Sequence, residues 1–215
     1  MKILEQKTAE LLFKMGIISI NTKSPFKFSS GILSPIYIDN RLIMSFPKER
    51  KKMVKFYIEL IKSKIGLDKI DLISGTATAA IPMASWIAGN LNLPMVYVRK
   101  ENKDHGKLNK IEGLVPKKAR TIIIEDHIST GESSIANAQA IREAGGIVSF
   151  IIGATSYETV LAKKNFNDAK LKCFTLTTLE GILKVAEQKK IIKKGEIKIV
   201  QEWTKNPSEW GKNSS

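Results

Sequence analysis

Apolar positions along the chain follow two spacings. Residues 3–15 put Leu4, Leu11, Leu12 and Met15 on one side of a helix, and Gly16 suits its end. Pro47 stands where a second helix can begin, and Val54, Ile58, Ile61 and Ile65 continue it as an apolar stripe. Between them, residues 24–41 (SPFKFSSGILSPIYIDNR) read as irregular structure and short strands, punctuated by Pro25, Gly31 and Pro35.

From residue 70 onward, short apolar runs alternate with helical stripes. Ile70–Ile73 reads as a strand, followed by the small-residue stretch SGTATAA and a helix from Ile81 to Leu91. Pro94–Val98 and Thr121–Ile124 are the next strands. A helix from Ser133 or Ser134 to Ala144 ends at Gly145 and Gly146. Ile147–Ile152 and Lys172–Leu176 supply two more strands, and residues 178–190 a last amphipathic helix. This alternation predicts an α/β fold with a central, mostly parallel sheet flanked by helices. Unbroken apolar strands fit burial on both faces. With no internal repeat or linker, the 215 residues predict one domain, 1–215.

Composition changes little. A hydrophobic share of 43% with 26% charged residues is ordinary for a soluble globular protein. The longest apolar stretches, such as Ile147–Ala154, are shorter than the roughly 18 residues of a membrane span. The start, MKILEQKTAELLFK, is amphipathic and lacks the apolar core of a signal peptide. Cys173 is the lone cysteine, which excludes a disulfide framework. A cytoplasmic protein without membrane contact is expected. The formal charge of +14 would suit a nucleic acid or a small polyanion. Only Arg41, Arg50, Arg99, Arg120 and Arg142 are arginines, however, and lysines account for the rest. Lysine, isoleucine and asparagine are all abundant, so the charge reads mainly as compositional bias, with no nucleic-acid partner expected.

Ligands of such sheets bind outside the carboxyl ends of the strands. Two strand-to-helix stretches there are rich in small and hydroxyl residues: SGTATAA (74–80) and DHISTGES (126–133). The second would point backbone N–H groups at a helix N-terminus, a natural phosphate site. It is neither a nucleotide P-loop nor a dinucleotide fingerprint, because GxxxxGK[ST] and GxGxxG do not occur. Carboxylates repel phosphate but accept hydrogen bonds from sugar hydroxyls. Glu125 and Asp126 ahead of this turn therefore suggest a sugar phosphate. The plainer alternative makes Asp126 a helix N-cap and the hydroxyls ordinary turn residues.

IIIEDHISTGESS (122–134) resembles the phosphoribosyl-pyrophosphate (PRPP) signature of type I phosphoribosyltransferases. SSGILSPIYIDNRLIMSFPKER (29–50), SGTATAAIP (74–82), YVRKENKDHGKLNKIEG (97–113) and EWTKNPSEWG (202–211) resemble the orotate phosphoribosyltransferases of bacilli. The resemblance covers nearly the whole chain in order. It implies the type I phosphoribosyltransferase fold, with a small hood built largely from about residues 1–45 and part of the C-terminal region. It implies transfer of ribose 5-phosphate from PRPP to N1 of orotate, giving orotidine 5′-monophosphate and pyrophosphate. Magnesium rides on the PRPP. Glu125 and Asp126 would meet the ribose hydroxyls. His127, Ile128, Ser129, Thr130, Gly131, Glu132 and Ser133 would wrap the 5-phosphate, with His127 contributing only its backbone. Gly75, Thr76 and Ala77 would hold the pyrophosphate. Lys27, Tyr37 and Ser129 would contact orotate. Residues 99–106 resemble a mobile catalytic loop that closes over the partner's site in a homodimer. Lys103 and His105 would act on the departing pyrophosphate, and Arg99 would help bind PRPP. Cys173 and Trp86 are expected to pack rather than react.

Four positions depart from the family pattern. Glu132 stands where the phosphate loop more usually has glycine, and Ala80 where glycine is commoner. Tyr157 lacks the glycine and proline that usually follow it. No arginine follows Arg142, although distant members use one for orotate. The alternatives are a transferase for another base and a PRPP-sensing regulator without catalysis.

Overall fold

The isoleucine run at 122–124 lies in the middle of a six-stranded sheet. The computed structural model describes residues 2–28, 31–99, 110–207 and 209–210. The sheet comprises β5 (Leu72–Thr76), β6 (Met95–Val98), β7 (Ile111–Glu112), β8 (Arg120–Ile128), β9 (Ile147–Ser156) and β10 (Lys172–Thr178). Their spatial order is β10-β9-β8-β5-β6-β7. Every pairing is parallel except β6 with β7, which is antiparallel. Ahead of it come β1 (Ile18–Ile20), β2 (Phe26–Lys27), β3 (Leu33–Ser34) and β4 (Ile36–Ile38). These form two small antiparallel pairs apart from the main sheet, β1 with β4 and β2 with β3.

Successive strand residues face opposite sides of a sheet, and both faces of this one are covered. Ile122, Ile124 and Ile152 join the core beneath α1 (Lys2–Lys14), α2 (Pro47–Lys64), α3 (Ile81–Leu91) and α6 (Leu179–Gln188). Ile123, Ile151 and Val148 join a second core beneath α4 (Glu132–Glu143) and α5 (Val160–Asp168). A last helix, α7 (Lys194–Lys205), buries Trp203, whose indole N–H donates to the Leu33 carbonyl at 2.9 Å. Cys173 packs beside the second core, and burial pushes its thiol up to about 12. Trp86 is half-buried under the Arg50 guanidinium, 4.4 Å from the ring centre.

The expected elements are present, with further ones beside them. Strands β1 and β7 and helices α5 and α7 lie outside the elements expected from apolar spacing. Strand β5 runs on through Thr76, so the SGTATAA turn is confined to residues 77–80. Strand β8 runs on through Ile128, four residues beyond the isoleucines. Pairing with β9 continues to Ile128↔Ser156, and backbone ladder bonds hold polar residues in a strand as well as apolar ones. Gly145, at φ +91, ends α4 as expected.

Ile123 is fully buried at the sheet centre. An Ile123→Ala substitution should cost about 2–5 kcal/mol through lost burial and a cavity, read as a lower urea midpoint.

Candidate active site

The two acids lie within β8, two residues before it ends, rather than opening a loop. Glu125 is buried and faces α4, where the Ser134 hydroxyl donates to Oε2 at 2.7 Å. Its Oε1 accepts from the Asp126 N–H at 3.1 Å. The Glu125 carbonyl accepts from the buried Tyr57 hydroxyl at 2.9 Å. Burial, helped by the neighbouring Asp126, pushes the Glu125 carboxyl up to about 8. Asp126 is half-buried, and its carbonyl accepts from Asn40 Nδ2 at 2.8 Å. Two helical segments on one face of the sheet thus fix the backbone at the acid pair.

Beyond Ile128 the chain turns into α4. Among the described residues, the N–H groups of Ser129, Thr130 and Gly131 donate to no protein acceptor. The N-cap of α4 is Gly131, and no side chain caps the helix. Asp126 is therefore not a helix cap, which removes the plainer reading of that acid. Gly131 has φ +82, and a Cβ there would come within 2.5 Å of the Phe166 ring. Glycine is demanded at this position, one before Glu132. Glu132 is exposed and opens α4, where an acid suits the helix dipole. The unusual glutamate thus stands where no left-handed backbone is required.

His127 lies with its ring buried. Nδ1 is 2.8 Å from Thr155 Oγ1, and the ring meets Tyr157 edge-on at 4.2 Å. Burial lowers its pKa to about 4, so the imidazole is neutral at ordinary pH. Its side chain therefore has a packing place alongside the backbone role expected of it.

Strand β5 ends one strand away, at Thr76. Asn137 of α4 bridges the two: Ser74 donates to its Oδ1 at 2.8 Å, and its Nδ2 donates to Thr76 Oγ1 at 3.1 Å. Ser74 is fully buried, so this arrangement also satisfies its proton. Gly75 lies within β5, and a Cβ there would sit 3.0 Å from Ala84 Cβ. Its smallness admits α3, in addition to any approach by a ligand. The Ala77–Thr78 peptide is cis.

A cavity of about 620 Å³ brings together Thr76, Ala77, Arg99 and Ser133, with Lys110 at its rim. Arg99 reaches Glu112 at 3.5 Å and is partly exposed. The acid pair does not line this cavity; Asp126 borders a much smaller one, of about 20 Å³, with Arg41 and Ala79. The Tyr37 ring lies tilted against Phe26 at 5.7 Å and Phe28 at 6.2 Å, and its hydroxyl accepts from Arg41 Nη2 at 3.3 Å. Trp203 links Phe28 to Tyr157, at 6.4 and 5.0 Å. Lys27 is exposed on β2. Lys103 and His105 lie outside the described residues. Asn40, Tyr57, Ser74, Asn137 and Thr155 received no role from the sequence; each acts through a distant partner, although Asn40, Ser74 and Ser134 stood inside quoted motifs.

A mostly parallel sheet whose central strand carries paired acids just ahead of an open amide turn has the architecture of a phosphoribosyltransferase. The chain is 42% identical over 203 residues to an orotate phosphoribosyltransferase of Coxiella burnetii, covering 94% of this chain and 96% of that protein. It is 41% identical over 209 residues to that of Listeria innocua, covering 97% and 99%. The crystal structure of orotate phosphoribosyltransferase from Aeropyrum pernix matches with a TM-score of 0.73 at 25% identity, covering 86% of this chain and 99% of that one. No family model matches. The chain belongs to the orotate phosphoribosyltransferase family.

A carboxyl raised from about 4.3 in the unfolded chain keeps its proton in the fold while the unfolded chain loses it. Ligand-free protein should therefore lose stability as pH rises from about 4.3 to about 8, by up to about 5 kcal/mol from Glu125. Glu125→Gln should flatten this part of the melting-temperature profile.

Proposed function

We propose that the chain transfers the 5-phosphoribosyl group of PRPP to N1 of orotate, releasing pyrophosphate, as a step of pyrimidine nucleotide synthesis. The observation that carries the site assignment is the ending of β8. Paired acids and unpartnered turn amides stand within the seven residues 125–131, next to the end of β5. The acids accept the ribose hydroxyls, and the turn from Ile128 to Ser133 takes the 5-phosphate. Residues 75–77 and Arg99 face the pyrophosphate. Ser129, Lys27 and Tyr37 receive orotate beneath the small antiparallel pairs.

In the reaction the bond from C1 of the sugar to the pyrophosphate oxygen breaks, and its electron pair leaves with pyrophosphate. The N1–C1 bond forms on the other side, and the proton of N1 leaves to water or to the departing pyrophosphate. The sugar carries positive charge midway, and the site's task is to hold both partners in line and to stabilise the leaving group. Lys103 and His105 supply cations at that moment, reaching across a homodimer into the partner's site. Among the described residues, no three His, Cys, Asp or Glu gather as a metal cage. Asp126, the half-buried member of the pair, offers the kind of oxygen ligand a hard cation takes, whereas both Glu125 oxygens are engaged within the protein. Magnesium arriving on PRPP would be held mainly by the substrate and would offset charge on the pyrophosphate.

Purified protein given PRPP, magnesium and a panel of bases should release pyrophosphate with orotate and little with the others. No turnover of orotate would refute the assignment. Lys103→Ala should lose most turnover while PRPP binding partly survives. Mixing it with an Asp126→Asn chain should restore part of the activity if the loop serves the partner's site, whereas an inactive mixture refutes the shared site.

A further inference from the structure

Helix α5 touches the phosphate turn at three consecutive residues. Thr159, its N-cap, donates from Oγ1 to the Ser129 carbonyl at 2.9 Å. Asn165, one turn and a half further on, donates from Nδ2 to the Thr130 carbonyl at 3.0 Å. The Phe166 ring fills the space where Gly131 has no side chain. Both peptides in question are trans, and in a trans peptide the C=O and the N–H point in opposite directions. A Ser129 carbonyl tied to α5 therefore aims the Thr130 N–H away from that helix. The Thr130 carbonyl does the same for the Gly131 N–H. These are the amides that have no protein acceptor among the described residues.

The Thr159 hydroxyl is fully engaged. Its proton goes to Ser129, and the oxygen accepts from the Ala162 N–H at 3.1 Å. It is thereby held in one orientation, and Phe166 and Ala162 anchor α5 in the core beneath the sheet. A glycine-containing turn would otherwise let its peptide planes rotate freely.

We propose that α5 is a buttress that pre-aims the phosphate turn, with Thr159 and Asn165 as positioning residues that act through the Ser129 and Thr130 peptides. The proposal rests on this turn binding the 5-phosphate of PRPP. Neither side chain touches substrate. Their effect is to fix the donor directions before the phosphate arrives, so that binding does not have to order the turn.

The test compares wild type with Thr159→Val, Asn165→Ala and the conservative Thr159→Ser. Calorimetry follows ribose 5-phosphate and magnesium pyrophosphate separately, alongside KM for PRPP and kcat. In Thr159→Val and Asn165→Ala, ribose 5-phosphate affinity should fall and KM for PRPP rise, each about tenfold, the scale of one charge-assisted hydrogen bond. Pyrophosphate affinity should hold, and Thr159→Ser should behave as wild type. Should Thr159→Val fail to fold, Asn165→Ala, which leaves the helix cap intact, decides the matter. Folded variants with wild-type ribose 5-phosphate affinity overturn the buttress. So does an equal loss for both ligands, which would mark general loosening. Wild-type protein that takes pyrophosphate but not ribose 5-phosphate overturns instead the placement of the phosphate, and the buttress with it.

Discussion

The site depends on one buried carboxyl group. Glu125 sits at the end of the central strand with its side chain held by Ser134 and the Asp126 N–H, and its carbonyl by Tyr57. Removing a carboxyl group from water is unfavourable unless it is hydrogen-bonded or neutral, and here it is both. These bonds connect β8 to α4 on one face and to α2 on the other. They fix the strand at the acid pair, just ahead of the turn. Asp126 and the open amides inherit their positions from that point.

The turn is held from a second direction. Phe166 and the positive φ of Gly131 leave little room for another residue there, and the Ser129 and Thr130 carbonyls are tied to α5. Meanwhile Asn137 links the end of β5 to the helix that follows the turn. The turn after β5 and the amide turn after β8 are thus carried by neighbouring strands and share a helix. A rigid frame of this kind suits a reaction in which positioning and electrostatics do most of the chemistry.

Much of this was legible in the order of the residues. The strands at Ile70, Pro94, Thr121 and Ile147 and the helix ends at Gly16, Leu91 and Gly145 follow from apolar spacing and backbone freedom, which are local properties. The acid pair and its hydroxyl turn were likewise visible in the sequence as a candidate ligand site. The strand-to-turn boundary was less so. Apolar content suggested that β8 stops at Ile124, whereas pairing with β9 carries it through Ile128. The puzzle over Glu132 also came from local reasoning, since the demand for glycine falls one residue earlier.

Residue order alone thus determined the class of fold, the sequence of strands and helices, and which residue types could meet a sugar, a phosphate and a base. The tertiary structure decided which of them are held, and by what. Asn40, Tyr57, Asn137, Thr159 and Asn165 have unremarkable neighbours along the chain, yet each donates to or bridges a group 30 or more residues away. Hydrogen bonds of that span leave no periodic trace in a sequence. They exist only once the sheet has brought distant segments within about 3 Å of one another, the reach of a hydrogen bond.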